Sequence, residues 1–212
     1  MSSFHDQTAQ FIAAVAQNLP EMSSDVMQGW IKDPKALQKF LLDLCPPVPD
    51  IPIPEFKVWR TIKLGTGLKT AEDFYKYFRN NRLNIDIYAS DIISKPAFTV
   101  APRETVLNLI VVRVAELGFK KGATREQIFA RAKEWGLTLC PAEAGPQLRL
   151  QYRDQPNNDE LFIAMDPIAG SMGYLSLFKL IRENSTFLLS GYSASPACVW
   201  SPSARFVFSR RN

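Results

Sequence analysis

Glu104-Thr105-Val106-Leu107-Asn108-Leu109-Ile110-Val111-Val112-Arg113-Val114-Ala115-Glu116-Leu117 is the segment at which two architectures part company. Residues 106–114 are an almost unbroken apolar run, rich in β-branched Val and Ile, and favour a buried strand. The wider segment 104–117 is also long enough for a helix, and periodicity alone does not separate the two. A strand here belongs in a mixed α/β body. A helix here would head three helices followed by a β hairpin, the layout of a winged helix.

The sequence just downstream keeps both architectures open. Thr124-Arg125-Glu126-Gln127 is a capping box, and Ile128, Phe129, Ala132 and Trp135 form the buried stripe of the helix it starts, closed by Gly136. Pro141-Ala142-Glu143 suggests a second helix start, whereas Leu148-Arg149-Leu150-Gln151-Tyr152 alternates like a strand. Two helices across a short gap resemble a helix-turn-helix. Its second helix would display Gln147, Arg149, Gln151 and Arg153, side-chain types that read base edges, with Lys120, Lys121 and Arg125 near phosphates. The gap is longer than that motif normally has, and Pro146 is awkward inside a reading helix. The alternative is a pair of elements in an α+β core with a solvated charged face.

Upstream, Phe56-Lys57-Val58-Trp59-Arg60-Thr61-Ile62-Lys63-Leu64 alternates apolar and polar residues as a half-buried strand, with Arg60 the one misfit on the apolar side. Gly65-Thr66-Gly67 turns the chain, and Thr70 caps a helix carrying Phe74, Tyr77 and Phe78. A further helix is expected over 85–93, ended by Lys95-Pro96. The order strand, glycine loop, Lys69-Thr70, helix start makes Gly65, Gly67, Lys69 and Thr70 a candidate anion-binding loop. It departs from the nucleotide-binding P-loop, which has glycine directly before the lysine where this chain has Leu68. A tight turn followed by a helix cap explains the same residues.

The N-terminal part reads as a small helical head, residues 1–45. Phe11, Ile12, Val15, Ala16 and Leu19 share one helical face; Val26, Met27, Trp30 and Ile31 mark a second helix. Asp33-Pro34 starts a third, with Leu37, Phe40, Leu41 and Leu44 as its stripe. Residues 46–54 hold five prolines in Pro46-Pro47-Val48-Pro49-Asp50-Ile51-Pro52-Ile53-Pro54 and read as a semi-rigid linker or, with a partner, an SH3 or WW ligand. The body is residues 55–212. Its tail is β-rich: a strand over 160–165, a hairpin over 173–182 and 186–190 turning at Glu183-Asn184-Ser185, and a last strand over 204–209. The fold class expected is α+β: a small N-terminal helical unit, a Pro-rich linker and a mixed α/β body ending in antiparallel strands.

Composition narrows the chemistry. The 212 residues carry a net charge of +4, unevenly: −3 over 1–50, +4 over 51–103, +3 over 104–153 and zero over 154–212. The basic middle can attract an anionic partner, or be offset by the acidic head. His5 is the single histidine, which removes Ser-His-Asp triads, Cys-His dyads and HExxH zinc sites unless another chain supplies the imidazoles. Cys45, Cys140 and Cys198 are widely spaced with no CxxC, so no disulfide framework is expected and a reducing compartment is the default. No apolar run of membrane-spanning length and no secretory signal is evident, and the expected location is cytoplasmic. For acid–base or nucleophilic work the candidates are Glu143, Asp166, Tyr152 and Cys140, each with a structural alternative. Trp200, in a proline-bearing polar loop, is either an interface anchor or a core residue.

The segments Trp59-Arg60-Thr61-Ile62-Lys63-Leu64-Gly65-Thr66-Gly67-Leu68-Lys69-Thr70, Val114-Ala115-Glu116-Leu117-Gly118-Phe119, Leu139-Cys140-Pro141-Ala142-Glu143 and Gly145-Pro146-Gln147-Leu148-Arg149-Leu150-Gln151-Tyr152 resemble a family of bacterial proteins of unknown function. The resemblance runs from about the proline linker to the C-terminus and implies a bacterial or phage-like origin without an activity or a catalytic residue. The expected function is a non-enzymatic intracellular binding protein, engaging nucleic acid through the basic helix-turn-helix-like region. The alternatives are a protein-interaction or regulatory module, phage- or defence-related, and a small-molecule or nucleotide-using enzyme. No metal or cofactor is expected, and catalysis is not favoured.

Overall fold

The computed structural model describes residues 54–210 and, nearer the N-terminus, residues 9, 12–14, 16, 17, 21, 23–36, 38 and 39. The chain forms two compact units, Met1–Ile53 and Pro54–Asn212. In the first, helix α1 spans Ser24–Lys32. Ser23 caps it, accepting from the Val26 N–H at 3.4 Å, and Asp25 and Lys32 complement the helix dipole at its two ends. Asp33 accepts from the Ala36 N–H at 3.0 Å and starts the next helical turn, as the Asp-Pro pair predicts. The stripe Leu37, Phe40, Leu41 and Leu44 and the linker prolines before Pro54 lie outside the described residues.

In the second unit a nine-stranded mixed sheet organises the chain. Its elements are β1 (Arg60–Leu64), α2 (Ala71–Asn80), β2 (Asn84–Ile85), α3 (Ile87–Ile93), β3 (Thr105–Arg113), β4 (Ala123–Thr124), α4 (Arg125–Glu134), β5 (Leu137–Thr138), α5 (Ala144–Gln151), β6 (Asp159–Ile163), β7 (Ile168–Ala169), β8 (Leu175–Glu183), β9 (Thr186–Ser193), β10 (Val199–Trp200) and β11 (Arg205–Arg210). The strand order is β1-β3-β11-β6-β8-β9-β2, with β5 on β11 and β7 on β8; β4 and β10 form a separate ribbon. The β11–β6 and β9–β2 neighbours are parallel, and the other pairs are antiparallel. The fold is α+β.

The segment 104–117 is a strand followed by a single 3-10 turn, Val114–Leu117. Strand β3 sits between β1 and β11, where its Val and Ile side chains are held between neighbours on both sides. The three-helix layout of a winged helix is therefore not formed. The second disputed segment resolves the other way: residues 144–151 are helical, and the alternation at 148–152 is incidental to a helix buried on nearly all sides.

Register assigns the two faces of the sheet. Phe162 in β6 stands opposite Phe206 in β11 and opposite Lys179 in β8, so these three share one face and Phe178 points to the other. Phe178 meets α5, and Phe98 bridges it to Phe74 of α2. That face is covered by α2, α3 and α5 through Phe74, Phe78, Ile92, Ile93, Ala144 and Leu148. On the opposite face Phe129 of α4 packs edge-on against Phe206 and Phe208, each at 6.0 Å. Helix α4 covers the β11 region; against Phe162 and Tyr192 the neighbour is instead Trp200 of β10.

Local signals in the sequence are realised where a few adjacent residues suffice. Thr124 and Gln127 form the reciprocal capping box of α4, and Thr70 with Asp73 does the same for α2. The misfit Arg60 is explained: its guanidinium makes a bidentate pair with Asp154, both bonds 2.8 Å, and lies 4.5 Å over the Tyr152 ring.

Candidate functional site

Helix α5 is bound to the outer edge of β1 by three side chains spaced four residues apart. Glu143 accepts from the Gly65 N–H at 2.8 Å and, through its other oxygen, from the Ala101 N–H at 2.8 Å. Gln147 donates to Thr66 Oγ at 2.8 Å and to Glu143 at 2.9 Å. Gln151 closes the ladder: its carbonyl accepts from the Lys63 N–H at 2.9 Å and its amide donates to the Lys63 carbonyl at 2.8 Å, completing an edge that has no further strand.

The anion-loop expectation is corrected by this arrangement. The Gly65 N–H already faces an internal carboxylate, Glu143. The N–H groups of Lys69 and Thr70 both donate to Asp73, at 3.0 and 2.9 Å. Three of the loop's backbone donors, those of Gly65, Lys69 and Thr70, are thus occupied from within. Gly65 has φ +64, and a Cβ there would lie 2.2 Å from the Arg103 carbonyl oxygen, so the glycine serves a close backbone crossing.

The seven side chains read as a nucleic-acid surface do not share one exposed face. Arg149 is fully buried and Gln147 is 1% exposed, which corrects both as base readers. Arg149 donates to Gln155 and to the Tyr152 carbonyl and stacks on Phe187 at 4.9 Å. Gln151 is taken by β1, and Arg153 donates to the carbonyls of Leu150 and Asn81. Arg125 donates to the Ala194 carbonyl at 2.9 Å and pairs with Glu126. Lys120 and Lys121 are exposed. Gln147 and Arg149, read as outward-facing from their side-chain types, are inward because α5 is buried along most of its length.

The residues singled out for acid–base or nucleophilic work are dispersed. Glu143 and Tyr152 cap opposite ends of α5, about 14 Å apart along its axis, and Asp166 is exposed on the loop after β6. Burial pushes the Cys140 thiol up to about 12, and its Sγ donates to the Val207 carbonyl at 3.5 Å. A thiol in that state is a core residue. Iodoacetamide labelling of the folded protein at pH 8 is therefore expected to modify Cys198, which is partly exposed, and to leave Cys140 unmodified until denaturant is added. Peptide mass mapping reads this directly, and native-state labelling of Cys140 would overturn it.

The structural feature with the character of a binding site was not anticipated. On the sheet face that α4 leaves open, a cleft of ≈ 680 Å³ lies between β6, the end of β9, β10 and the β10–β11 loop, within the size range of small-ligand sites. Three rings wall it. Phe162 stands 5.1 Å from Tyr192 and 4.7 Å from Trp200, and Tyr192 stands 5.2 Å from Trp200. Trp200 is buried, resolving its two readings in favour of the core, while Tyr192 is 41% exposed. Ribbon β4–β10 fixes Trp200 opposite Ala123. Gly122, at φ +90, makes room: a Cβ would come within 2.6 Å of the Trp200 carbonyl oxygen.

Polar groups converge on the same cleft in compensated pairs. Arg205 pairs with Asp159 and donates to the Glu160 carbonyl. Lys179 pairs with Glu160 at 2.7 Å, with its ammonium 5.2 Å from the Phe162 centroid and 5.3 Å from that of Tyr192. Burial lowers the Arg205 pKa. Asp159 is held from behind by Gln155, whose amide donates to both its side chain and its carbonyl. Sequence reading missed these residues because Asp159 and Glu160 lie next to each other while their partners lie on β8 and β11. Among the described residues no cluster of His, Cys, Asp and Glu suited to a metal occurs, and no helix is long and apolar enough to cross a membrane. Compared with protein-family models, curated proteins and solved structures, the chain has no match.

Proposed function

We propose that this protein is a non-enzymatic binding protein whose ligand is an uncharged, planar or ring-shaped group held in the cleft against Tyr192. The observation that carries this reading is the combination of an exposed aromatic ring with a charge-balanced rim. Tyr192 is 41% exposed where it lines the cleft, and the cations in and beside the cleft are each paired with a carboxylate of β6, Arg205 with Asp159 and Lys179 with Glu160. Such a surface favours stacking and hydrogen bonding over attraction of a polyanion. The side chains of Ser201, Ser203 and Asn158 at the rim add polar groups that orient a ligand. A cytoplasmic setting belongs to the same reading, supported by the free thiols of Cys140 and Cys198.

Contact with nucleic acid through the central basic region has less geometric support, since Gln147 and Arg149 are buried and Arg125, Gln151 and Arg153 are bonded within the protein. Titration with adenosine, uridine and N-acetyltryptophanamide, read by tryptophan fluorescence and thermal shift, tests the cleft. At least one of these probes is expected to quench fluorescence saturably and raise Tm. Tyr192→Ala is expected to weaken it about tenfold, the range for loss of one stacking ring. Absence of any saturable response to the three probes, or equal affinity in Tyr192→Ala, would refute the reading. Steeply salt-dependent binding of a DNA duplex would favour the basic region instead.

A further inference from the structure

Helix α2 ends in a way that points to a second site, on the sheet face opposite the cleft. The Leu83 N–H donates to the Phe78 carbonyl at 3.0 Å and the Arg82 N–H to the Arg79 carbonyl at 3.3 Å, with Asn81 as the C-cap. This is a Schellman closure, and its left-handed position is the one that glycine fills in most helices. Here it is Arg82, at φ +54. A long β-carbon-bearing side chain is kept where the backbone disfavours it, a form of local strain that clusters at binding sites.

Arg82 lines a pocket of ≈ 460 Å³ together with Arg79, Tyr75, Asn84 and Ser90, and no acidic residue is in its lining. Among the described residues neither guanidinium has an ion-pair or hydrogen-bond partner, and both side chains are exposed. The acids of the adjoining α3 direct their oxygens elsewhere. Asp86 accepts from the Ala89 and Gly191 N–H groups and from Ser190. Asp91 pairs with Lys95 and accepts from Ser171. Arg153 adds a third positive charge beside the pocket, since it donates to the Asn81 carbonyl at the α2 C-cap. A concave site with two unpaired guanidiniums, an aromatic ring and amide and hydroxyl groups has the chemistry of a phosphate-monoester site.

We propose that this pocket binds a small phosphate monoester, with Arg79 and Arg82 on the phosphate and Tyr75 beside the organic group. The site is separate from the aromatic cleft and does not depend on it. Calorimetric titration of the full chain with AMP and with inorganic phosphate tests it. Arg82→Gly is the informative variant, because glycine suits the left-handed position: its Tm is expected to equal or exceed that of the parent protein, while AMP binding falls about tenfold or more. Arg79→Gln is expected to show the same loss of binding, and Lys120→Gln, an equal change of charge elsewhere, none. Saturable binding of inorganic phosphate alone, lost in the same two variants, also supports the site. No saturable binding of AMP or inorganic phosphate by the parent protein, undiminished affinity for inorganic phosphate in Arg82→Gly, an equal loss in Lys120→Gln, or binding of a short oligothymidylate with none of AMP overturns it.

Discussion

Glu143→Gln is expected to lower the melting temperature by about 10 °C, corresponding to about 3 kcal/mol for a protein of this size. The carboxylate accepts three hydrogen bonds, from the Gly65 and Ala101 N–H groups and from Gln147, and is 1% exposed. Gln is the same size but has one acceptor oxygen. Whichever way its amide turns, an NH₂ faces a backbone N–H that was bonded, so a buried donor is left without an acceptor and a second donor is pushed against it. The two backbone groups belong to the loop after β1 and the segment before β3. Their amides are expected to exchange with solvent faster in the variant, as measured by hydrogen exchange at Gly65 and Ala101. A Tm within about 2 °C of the parent would show that the carboxylate is not what holds these two segments.

Arg149→Ala is expected to be comparably damaging, at about 3–5 kcal/mol, and to act on folding instead of on binding. Arg149 is the largest of the fully buried side chains. Its removal opens a cavity and strips the Gln155 side chain and the Tyr152 carbonyl of their donor. The wild-type arrangement is itself costly. Among the described residues no carboxylate pairs with Arg149 and its Nε has no partner, and burial lowers its pKa to about 10, with the nearby Arg153 contributing after desolvation. Between about 10 and the higher ordinary guanidinium value the unfolded chain holds more protons, so this group makes folding more favourable as pH rises through that window, and its penalty is fully present below it. Arg149→Met, which fills most of the volume without a buried charge, is expected to be much milder than Arg149→Ala in urea denaturation. Equal loss in the two would show that the hydrogen bonds to Gln155 and Tyr152 outweigh the volume.

Helix α5 also marks where linear reading reaches its limit. Arg149 and Gln147 read as outward-facing because Arg and Gln at alternate positions beside a helix start have the composition of a base-reading surface. The structure uses the same hydrogen-bonding capacity inward. Gln151 completes the open edge of β1, Glu143 holds two loops, and Arg149 bridges to Gln155. Nothing within a helical turn distinguishes the two uses, since a donor that could meet a guanine meets a carbonyl equally well.

Helix starts at Thr70 and Thr124, the cap at Asp33 and the hairpin around Asn184 were all legible in the order of residues, because each depends on side chains within a few positions of one another; the Val-rich segment 104–117 was open between helix and strand until its neighbours β1 and β11 decided it. Which side of α5 is wet, which ring is left bare and which arginine lacks a partner are set by contacts across the chain: Glu143 meets residues 78 and 42 positions away, and Gln151 one 88 away. Burial and pairing at that range depend on how the strands are ordered in the sheet, and a free energy shared among distant segments leaves no periodic mark on any one of them.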